Sequence, residues 1–431
     1  MKILFITDNF VPEVNAPATR TFEHCKEWVE QGTEVTVITG APNFPQGKVY
    51  EGYENKLFQR EYIEGIEVIR VWSYITANKG FAKRVLDYLS FSFMAFWVGL
   101  FQKADIIIAT SPQFFTTWSA FGLSHLKRKP WIFELRDLWP ESIKTVGAMT
   151  ENRFYHFLER IELFLYSDSN HVIPNTDAFK SNLTNRGIEQ DKIHVIPNGA
   201  NLELFNPRPV NEQLKKELDI QDKMVIGYIG THGMAHSLDF ILYTALKLQE
   251  KDPDIHFLFI GDGAQKQTLL KIAENLALIN VTFHDPIPKE RIPEYLSVID
   301  LSLVPLKKAD TFKSVIPSKI FESSSMAKPI LLGVEGQAKK IIDEFEAGLC
   351  FEPENEQDFI EKVLLLKNDQ QLRERLGNNG LKLAKAYDRK KLATRMLHII
   401  SQVEGHEEPQ ITNFYDEEEN KKSQKVAELN Y

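Results

Sequence analysis

The 431-residue chain is 43% hydrophobic and 26% charged, with a formal net charge of −9. Its length is too great for one compact core and predicts two domains with a cleft between them, while the acidic balance speaks against nucleic acid as a partner. Only two cysteines occur, Cys25 and Cys350, far apart and without metal-ligand spacing, a usage that suggests neither a disulfide framework nor a zinc site and fits a reducing cytoplasm.

The first apolar run, Ile3-Leu4-Phe5-Ile6-Thr7, is closed at once by Asp8 and Asn9. It is too short for a signal peptide and predicts a buried strand. Further strand-like runs fall at 34–39, 68–71, 105–110, 131–135, 171–173 and 194–196, and a second series at 224–229, 256–260, 281–284, 301–304 and 330–333. Near-continuously apolar strands separated by amphipathic helical segments predict βαβ units and parallel sheets covered on both faces. Ligands of such sheets bind beyond the carboxyl ends of the strands, which points to the loops after Thr7, Thr110, Leu135, Ile229, Ile260, His284 and Val304. Residues 195–207 are dense in turn formers and predict the connector. The expected organisation is a first domain over 1–200, a second over 201–385, a terminal helix over 386–403 packing back on the first domain, and a flexible acidic tail over 404–431.

Charge is unevenly spread. Between Lys79 and Arg136 eight basic residues stand against three acidic ones, whereas eight acids and three lysines follow from Glu404 onward. Inside the basic region, 86–101 is apolar all round with Asp87 its only charge, and it falls short of the roughly 20 residues of a bilayer-spanning helix. Two readings stay open together: a helix packed on the first sheet, and a monotopic helix dipping into lipid headgroups while Lys79, Lys83, Arg84 and Lys103 meet anionic lipid. The expectation is a cytoplasmic protein associated peripherally with the inner leaflet of the membrane through residues 79–103.

The run Pro317-Ser318-Lys319-Ile320-Phe321-Glu322 carries the most chemistry. Proline suits the first helical position, and the free N–H groups of the next turn favour anions. Lys319 is a flexible cation suited to phosphate, and the Glu322 carboxylate can accept two hydrogen bonds from a ribose diol. An ordinary helix start with a solvated lysine fits those six residues equally well. Gly261-Asp262-Gly263 ends a strand where backbone can approach a nucleotide closely, and a plain tight turn fits it as well.

Taken together, two doubly wound domains, the connector Ile196-Pro197-Asn198-Gly199-Ala200-Asn201 and the late Pro-Ser-Lys helix resemble the retaining glycosyltransferases of family four, which have the GT-B fold. The likeness spans residues 1 to about 400. The runs 6–13, 41–50 and 134–142 are similar to the branch that builds bacterial O-antigen, capsule and exopolysaccharide repeat units.

The resemblance implies an α/β GT-B fold, two Rossmann-like doubly wound domains facing a central cleft. It implies transfer, with retention, of a sugar from a nucleoside diphosphate donor, UDP-linked, to a polyprenyl-linked saccharide in surface polysaccharide synthesis. Glu322 matches the second glutamate of the family's E-x7-E motif, whereas Ser314 occupies the place of the first, which favours a donor poor in hydroxyls such as a 6-deoxy N-acetylamino sugar. The family's Arg and Lys after the first strand of the second domain are absent here, where Gly230-Thr231-His232-Gly233-Met234-Ala235-His236 stands. Diphosphate charge then falls to Lys319, to nearby amides, or to His232 or His236, although a lone histidine is more often a structural residue than a ligand.

By the same resemblance the donor site comprises Asn15, Ala16, Gly230, Thr231, Gly261, Asp262, Ile287, Ser314, Pro317, Ser318, Lys319 and Glu322. Lys319, Glu322 and Asp137 are the catalytic candidates, and Arg20, Arg136, Asp137 and Glu141 the acceptor ligands. Arg20 reads alternatively as a helix-surface cation, and Arg136, Asp137 and Glu141 as an interior ion pair beside Trp139. No cofactor and no metal are expected, and the base stays open between uridine and guanosine. Two rival readings are a non-hydrolysing sugar-nucleotide 2-epimerase and a nucleotide-sugar-binding protein without catalysis.

Overall fold

The computed structural model describes residues 1–44, 46–76, 81–111, 114–141 and 151–404. The sequence-predicted tail, the Lys79 flank of the apolar helix and part of the 134–142 run lie outside the described residues.

The first sheet has seven strands in the order β3-β4-β2-β1-β5-β6-β7. These are β1 (Lys2–Ile6), β2 (Glu34–Thr39), β3 (Phe58–Ile63), β4 (Ile66–Val71), β5 (Ile106–Thr110), β6 (Trp131–Leu135) and β7 (His171–Pro174). β5 and β6 are buried at every position, because helices cover both faces and each side of the strand must be apolar. The exception is β3, antiparallel to β4 at the sheet edge. Its alternating exposed and half-buried residues lack the continuous apolar run that marked the other strands. The predicted strand at 194–196 forms no strand, although His194 N donates to Val172 O and Ile196 N to Pro174 O, so the segment trails along β7.

The second sheet orders β10-β9-β8-β11-β12-β13. Its strands are β8 (Met224–Ile229), β9 (Ile255–Ile260), β10 (Val281–His284), β11 (Leu301–Pro305), β12 (Ile330–Gly333) and β13 (Gly348–Cys350), all parallel. In both sheets the chain reverses its direction of winding beside the first strand of the domain, β1 or β8, and a crevice opens there beyond the carboxyl ends.

Three features fasten the halves together. The final helix, Arg389–Glu404, buries Leu392, Ala393, Met396 and Ile400 in the cluster that holds Phe5, Trp28 and Val37 of the first domain, and Trp28 Nε1 donates to Ala393 O at 2.8 Å. The connector passes so close to that helix that a Cβ on Gly199 would lie 2.1 Å from Tyr387 O. Arg20, on the helix Ala16–Glu30, grips the connector through Ile196 O (2.9 Å) and Pro197 O (2.6 Å).

Candidate active site

The wall that the resemblance assigns to the donor is built where two βα turns touch. Gly230, after β8, has φ 149° and Gly261, after β9, has φ 141°; a Cβ on Gly261 would fall 2.0 Å from Gly230 O. Only glycine combines that backbone conformation with that approach. Gly230 N donates to Ile260 O and His232 N to Asp262 O, both at 2.9 Å.

Over this platform lies Lys319. Its Nζ is 3.7 Å from the centroid of the Tyr228 ring and would be 2.7 Å from a Cβ on Gly230. Cation–π attraction holds the ammonium in place, while Tyr228 donates its hydroxyl to Thr231 O at 2.6 Å. Burial lowers the Lys319 pKa to about 7 against the opposing pull of Glu322. Glu322, one turn further along the short helix Lys319–Ser325, is pushed upward by burial and by Glu23, and held down by Lys289, Arg389 and Lys319. The arrangement is an under-solvated ammonium and an under-solvated carboxylate beside bare backbone, ready for an anion and a diol.

The geometry corrects the sequence reading at the helix start. Pro317 precedes the N-cap, Ser318, instead of occupying the first helical position. The amides of Ile320, Phe321 and Glu322 are already taken by Pro317 O and Ser318 O, so these three are not open to an anion. Ser314 closes a 3-10 turn with its Oγ on Thr311 O at 3.0 Å. Asp262 is exposed and accepts from Gly263 N at 2.8 Å, Thr231 is exposed, and Ile287 is partly buried against the cluster around Val225 and Ile260. Asn15 caps its helix by accepting from Ala18 N at 2.9 Å and steadies the preceding loop through Asn9 Oδ1 at 2.8 Å, leaving Ala16 exposed.

On the first domain the predicted acceptor residues separate. Arg20 is no surface cation: it is 3% exposed, and its guanidinium bonds Glu134 Oε1 (2.9 Å), Asn198 Oδ1 (3.3 Å) and the connector carbonyls. Its role is to join α-helix, sheet and connector. Arg136 is buried behind it, with Nη1 3.3 Å from Pro17 O, and burial brings its pKa down to about 10. Asp137 reaches solvent at the strand end, and the crowded wall pushes its carboxyl up to about 6 against the pull of Arg136. Glu141 lines a different cavity of about 320 Å³ with Tyr155, Glu162, Asn182 and Arg186.

Between the domains a cavity of about 600 Å³ is lined by Glu13, Thr19, Glu23, Pro288, Lys289 and Arg389. Glu23 bonds Lys289 Nζ at 2.8 Å through one oxygen and Arg389 Nη1 through the other. This three-residue junction of first helix, the loop after β10 and final helix was missed from sequence, because partners separated by 266 and 366 positions leave no local spacing. His232 is fully buried with both ring nitrogens unbonded among Tyr228, Phe259 and Phe283, and desolvation holds its pKa at about 4.

These features define a two-domain α/β protein whose Rossmann-like sheets face a common cleft. Residues 15–199 match the glycosyl transferase 4-like domain family, and residues 210–383 the glycosyl transferases group 1 family; the chain belongs to the GT-B glycosyltransferases of this family-four type. It is similar to WcaI of Escherichia coli K12, named for colanic acid biosynthesis, at 26% identity over 82% of this chain and 89% of that one. It is also 26% identical, over 51% of this chain and 57% of the other, to a Campylobacter jejuni N-acetylgalactosaminyltransferase named for a diphospho-undecaprenol-linked acceptor. Among solved structures, Anabaena HepE in complex with UDP and glucose superposes with a TM-score of 0.71 at 16% identity, covering 93% of this chain and 99% of that chain.

Proposed function

We propose that this glycosyltransferase moves a sugar, with retention, from a UDP-linked donor to a polyprenyl-linked saccharide during surface polysaccharide synthesis. The observation that carries the reading is the Lys319 ammonium seated on Tyr228 above the Gly230 and Gly261 turns, with Glu322 one helical turn away. When the bond between the anomeric carbon and the donor oxygen breaks, its electron pair passes to the β-phosphate. A fixed ammonium beside that oxygen stabilises the developing charge more than the ground state. Glu322 accepts from the ribose hydroxyls, and Asp137, at the end of β6, orients the acceptor. With the leaving charge met by Lys319, the reaction runs without a divalent ion. The UDP complex of HepE and the undecaprenol-linked acceptor of the Campylobacter relative support donor and acceptor class. Ser314 in place of a carboxylate supports a donor poor in hydroxyls, such as a 6-deoxy N-acetylamino sugar.

Peripheral membrane attachment belongs to the same proposal. No helix among the described residues is long and apolar enough to cross a membrane. On the helix Phe81–Leu100, however, Leu86, Leu89, Phe93 and Trp97 are exposed and fall on one face. Other positions of the helix, Phe91 and Ala95, are fully buried, so packing on the sheet and facing lipid are met by opposite sides. The test is a panel of nucleotide sugars with lipid-linked saccharide, with and without chelator. Transfer from a UDP-sugar that survives chelation supports the reading, and turnover of the sugar nucleotide without acceptor overturns it.

A further inference from the structure

The helices covering the two faces of the first sheet present opposite surfaces to their surroundings. One face is covered by the helices Phe81–Leu100, Phe114–Lys127 and Arg153–Asp168, which send Phe91 and Ala95, Ala120 and Leu123, and Leu158 and Leu165 into a single cluster. The other is covered by the first and final helices, whose exposed residues among those described are Ala16, Glu30, Lys390, Lys391, Arg395 and Gln402. That layer is dressed for water. The three-helix layer is not: besides Phe93 and Trp97 it leaves Trp118 41%, Phe157 56% and Phe164 54% exposed. Core packing has no use for these rings, since other positions of each helix already fill the space above the sheet.

The apolar residues join from helix to helix. Trp97 meets Phe96 with ring centroids 5.8 Å apart, and Phe96 lies over Gly122, where a Cβ would come within 2.9 Å of its ring. Phe121, beside that glycine, meets Phe164 at 5.5 Å. On the third helix Phe157, Arg160 and Phe164 follow at spacings of three and four and so share one side. At the cleft end Phe114 meets Trp118 at 6.0 Å and stacks on Trp139 at 4.3 Å, two residues beyond Asp137. An exposed apolar surface continuous over three helices marks a place where something covers it.

Charge decides what that is. Arg153 and Arg160 are exposed and form no ion pair among the described residues. No acidic residue of the three helices is exposed: Asp87, Glu159 and Asp168 are half-buried and Glu162 is buried. A second copy meeting this face about a two-fold axis would cover these cations with no exposed carboxylate from the same helices to receive them. Anionic headgroups receive both, and exposed aromatic rings beside arginines suit the boundary between headgroups and acyl chains.

We propose that the three helices form one membrane-contact face, with Phe157 and Phe164 entering the headgroup boundary beside Phe93 and Trp97, and Arg153 and Arg160 on the phosphates of anionic lipid. This rests on the peripheral attachment of the proposed function, carried there by the helix Phe81–Leu100 alone, and it sets how the protein lies. Because the face reaches Trp139, the edge of the cleft stands at the membrane surface, where a lipid-linked acceptor is held.

The test is sedimentation of the full chain with vesicles of phosphatidylcholine and phosphatidylglycerol in equal parts, and with phosphatidylcholine alone, using UDP titration as the control for folding. Phe157→Ser/Phe164→Ser should weaken binding to the mixed vesicles about tenfold or more. Arg153→Gln/Arg160→Gln should weaken it about tenfold on the mixed vesicles and leave binding to phosphatidylcholine unchanged, with UDP affinity that of wild type in both variants. Wild-type binding by either variant overturns the three-helix face. In that event a Phe93→Ser/Trp97→Ser variant that sheds the vesicles leaves attachment through the helix Phe81–Leu100 standing, and one that binds as wild type ends both readings. Dimerisation in the ultracentrifuge that Phe157→Ser/Phe164→Ser abolishes would assign the face to a second copy and overturn the proposal as well.

Discussion

Lys319→Ala is the perturbation whose size the structure sets most tightly. Nζ sits 3.7 Å from the Tyr228 centroid, with no hydrogen-bonded carboxylate among the described residues, and burial brings its pKa to about 7. A unit charge about 4 Å from a phosphate oxygen is worth about 4 kcal/mol at an effective dielectric near 20. The share gained only as the leaving charge develops lowers the barrier, so turnover should fall about 100- to 1,000-fold, with a smaller change in KM. The pH dependence follows from the same group. Below about pH 7 the ammonium is already charged; above it, binding the diphosphate must take up a proton. Affinity for a nucleotide sugar should therefore be flat in acid and fall by up to about tenfold per unit on the alkaline side. For folding, the depressed pKa means that the charged form is held at a cost, greatest below about 7 and vanishing above the unfolded value of 10.5. The alanine variant should accordingly melt no lower than wild type at neutral pH. Titration of UDP-glucose between about pH 6 and about pH 9 in buffers of different ionisation enthalpy measures the proton uptake, and single-turnover kinetics measures the chemical step. Full turnover in Lys319→Ala, or an affinity independent of pH, would refute the reasoning.

Three other outcomes are expected. Glu322→Gln keeps the shape of the side chain but loses a charged acceptor, so nucleotide KM should rise about 10- to 100-fold with a lesser effect on kcat; an unchanged KM removes Glu322 from the ribose. Glu23→Ala leaves Lys289 and Arg389 facing each other across the domain junction, and should lower the calorimetric Tm by about 5 °C or more and weaken UDP binding as the 285–289 loop loosens; identical melting and UDP titration curves would show that the junction carries no load. Replacing Phe93 and Trp97, 62% and 48% exposed, by serine should cut sedimentation with anionic liposomes about tenfold or more, and equal binding by the variant would end the membrane proposal.

What was legible in the sequence followed physical period. Strands buried on both faces write continuous apolar runs, so β1, β2, β5, β6 and most of the second sheet were readable, along with the cleft they create. β3 escaped because a solvated edge strand alternates, and 194–196 misled because an apolar run beside a strand end need not join the ladder. Lys319 and Glu322 stood out because both lie in one six-residue motif. Arg20 and Arg136 stayed ambiguous because sequence does not say whether a cation beside a strand end meets substrate or a buried carboxylate; here Glu134, 2% exposed, sits beside both, in keeping with the interior pairing that was one of the two readings of Arg136. Glu23, Lys289 and Arg389 came together only through the fold.

The central claim, that Lys319 and Glu322 hold the nucleotide diphosphate, is tested most directly by a structure of the protein with UDP. The diphosphate is expected within hydrogen-bond reach of Lys319 Nζ, above Gly230 and Gly261, with both ribose hydroxyls on the Glu322 carboxylate. UDP bound elsewhere in the cleft, with Lys319 still resting on Tyr228 and Glu322 without a ligand, would contradict it.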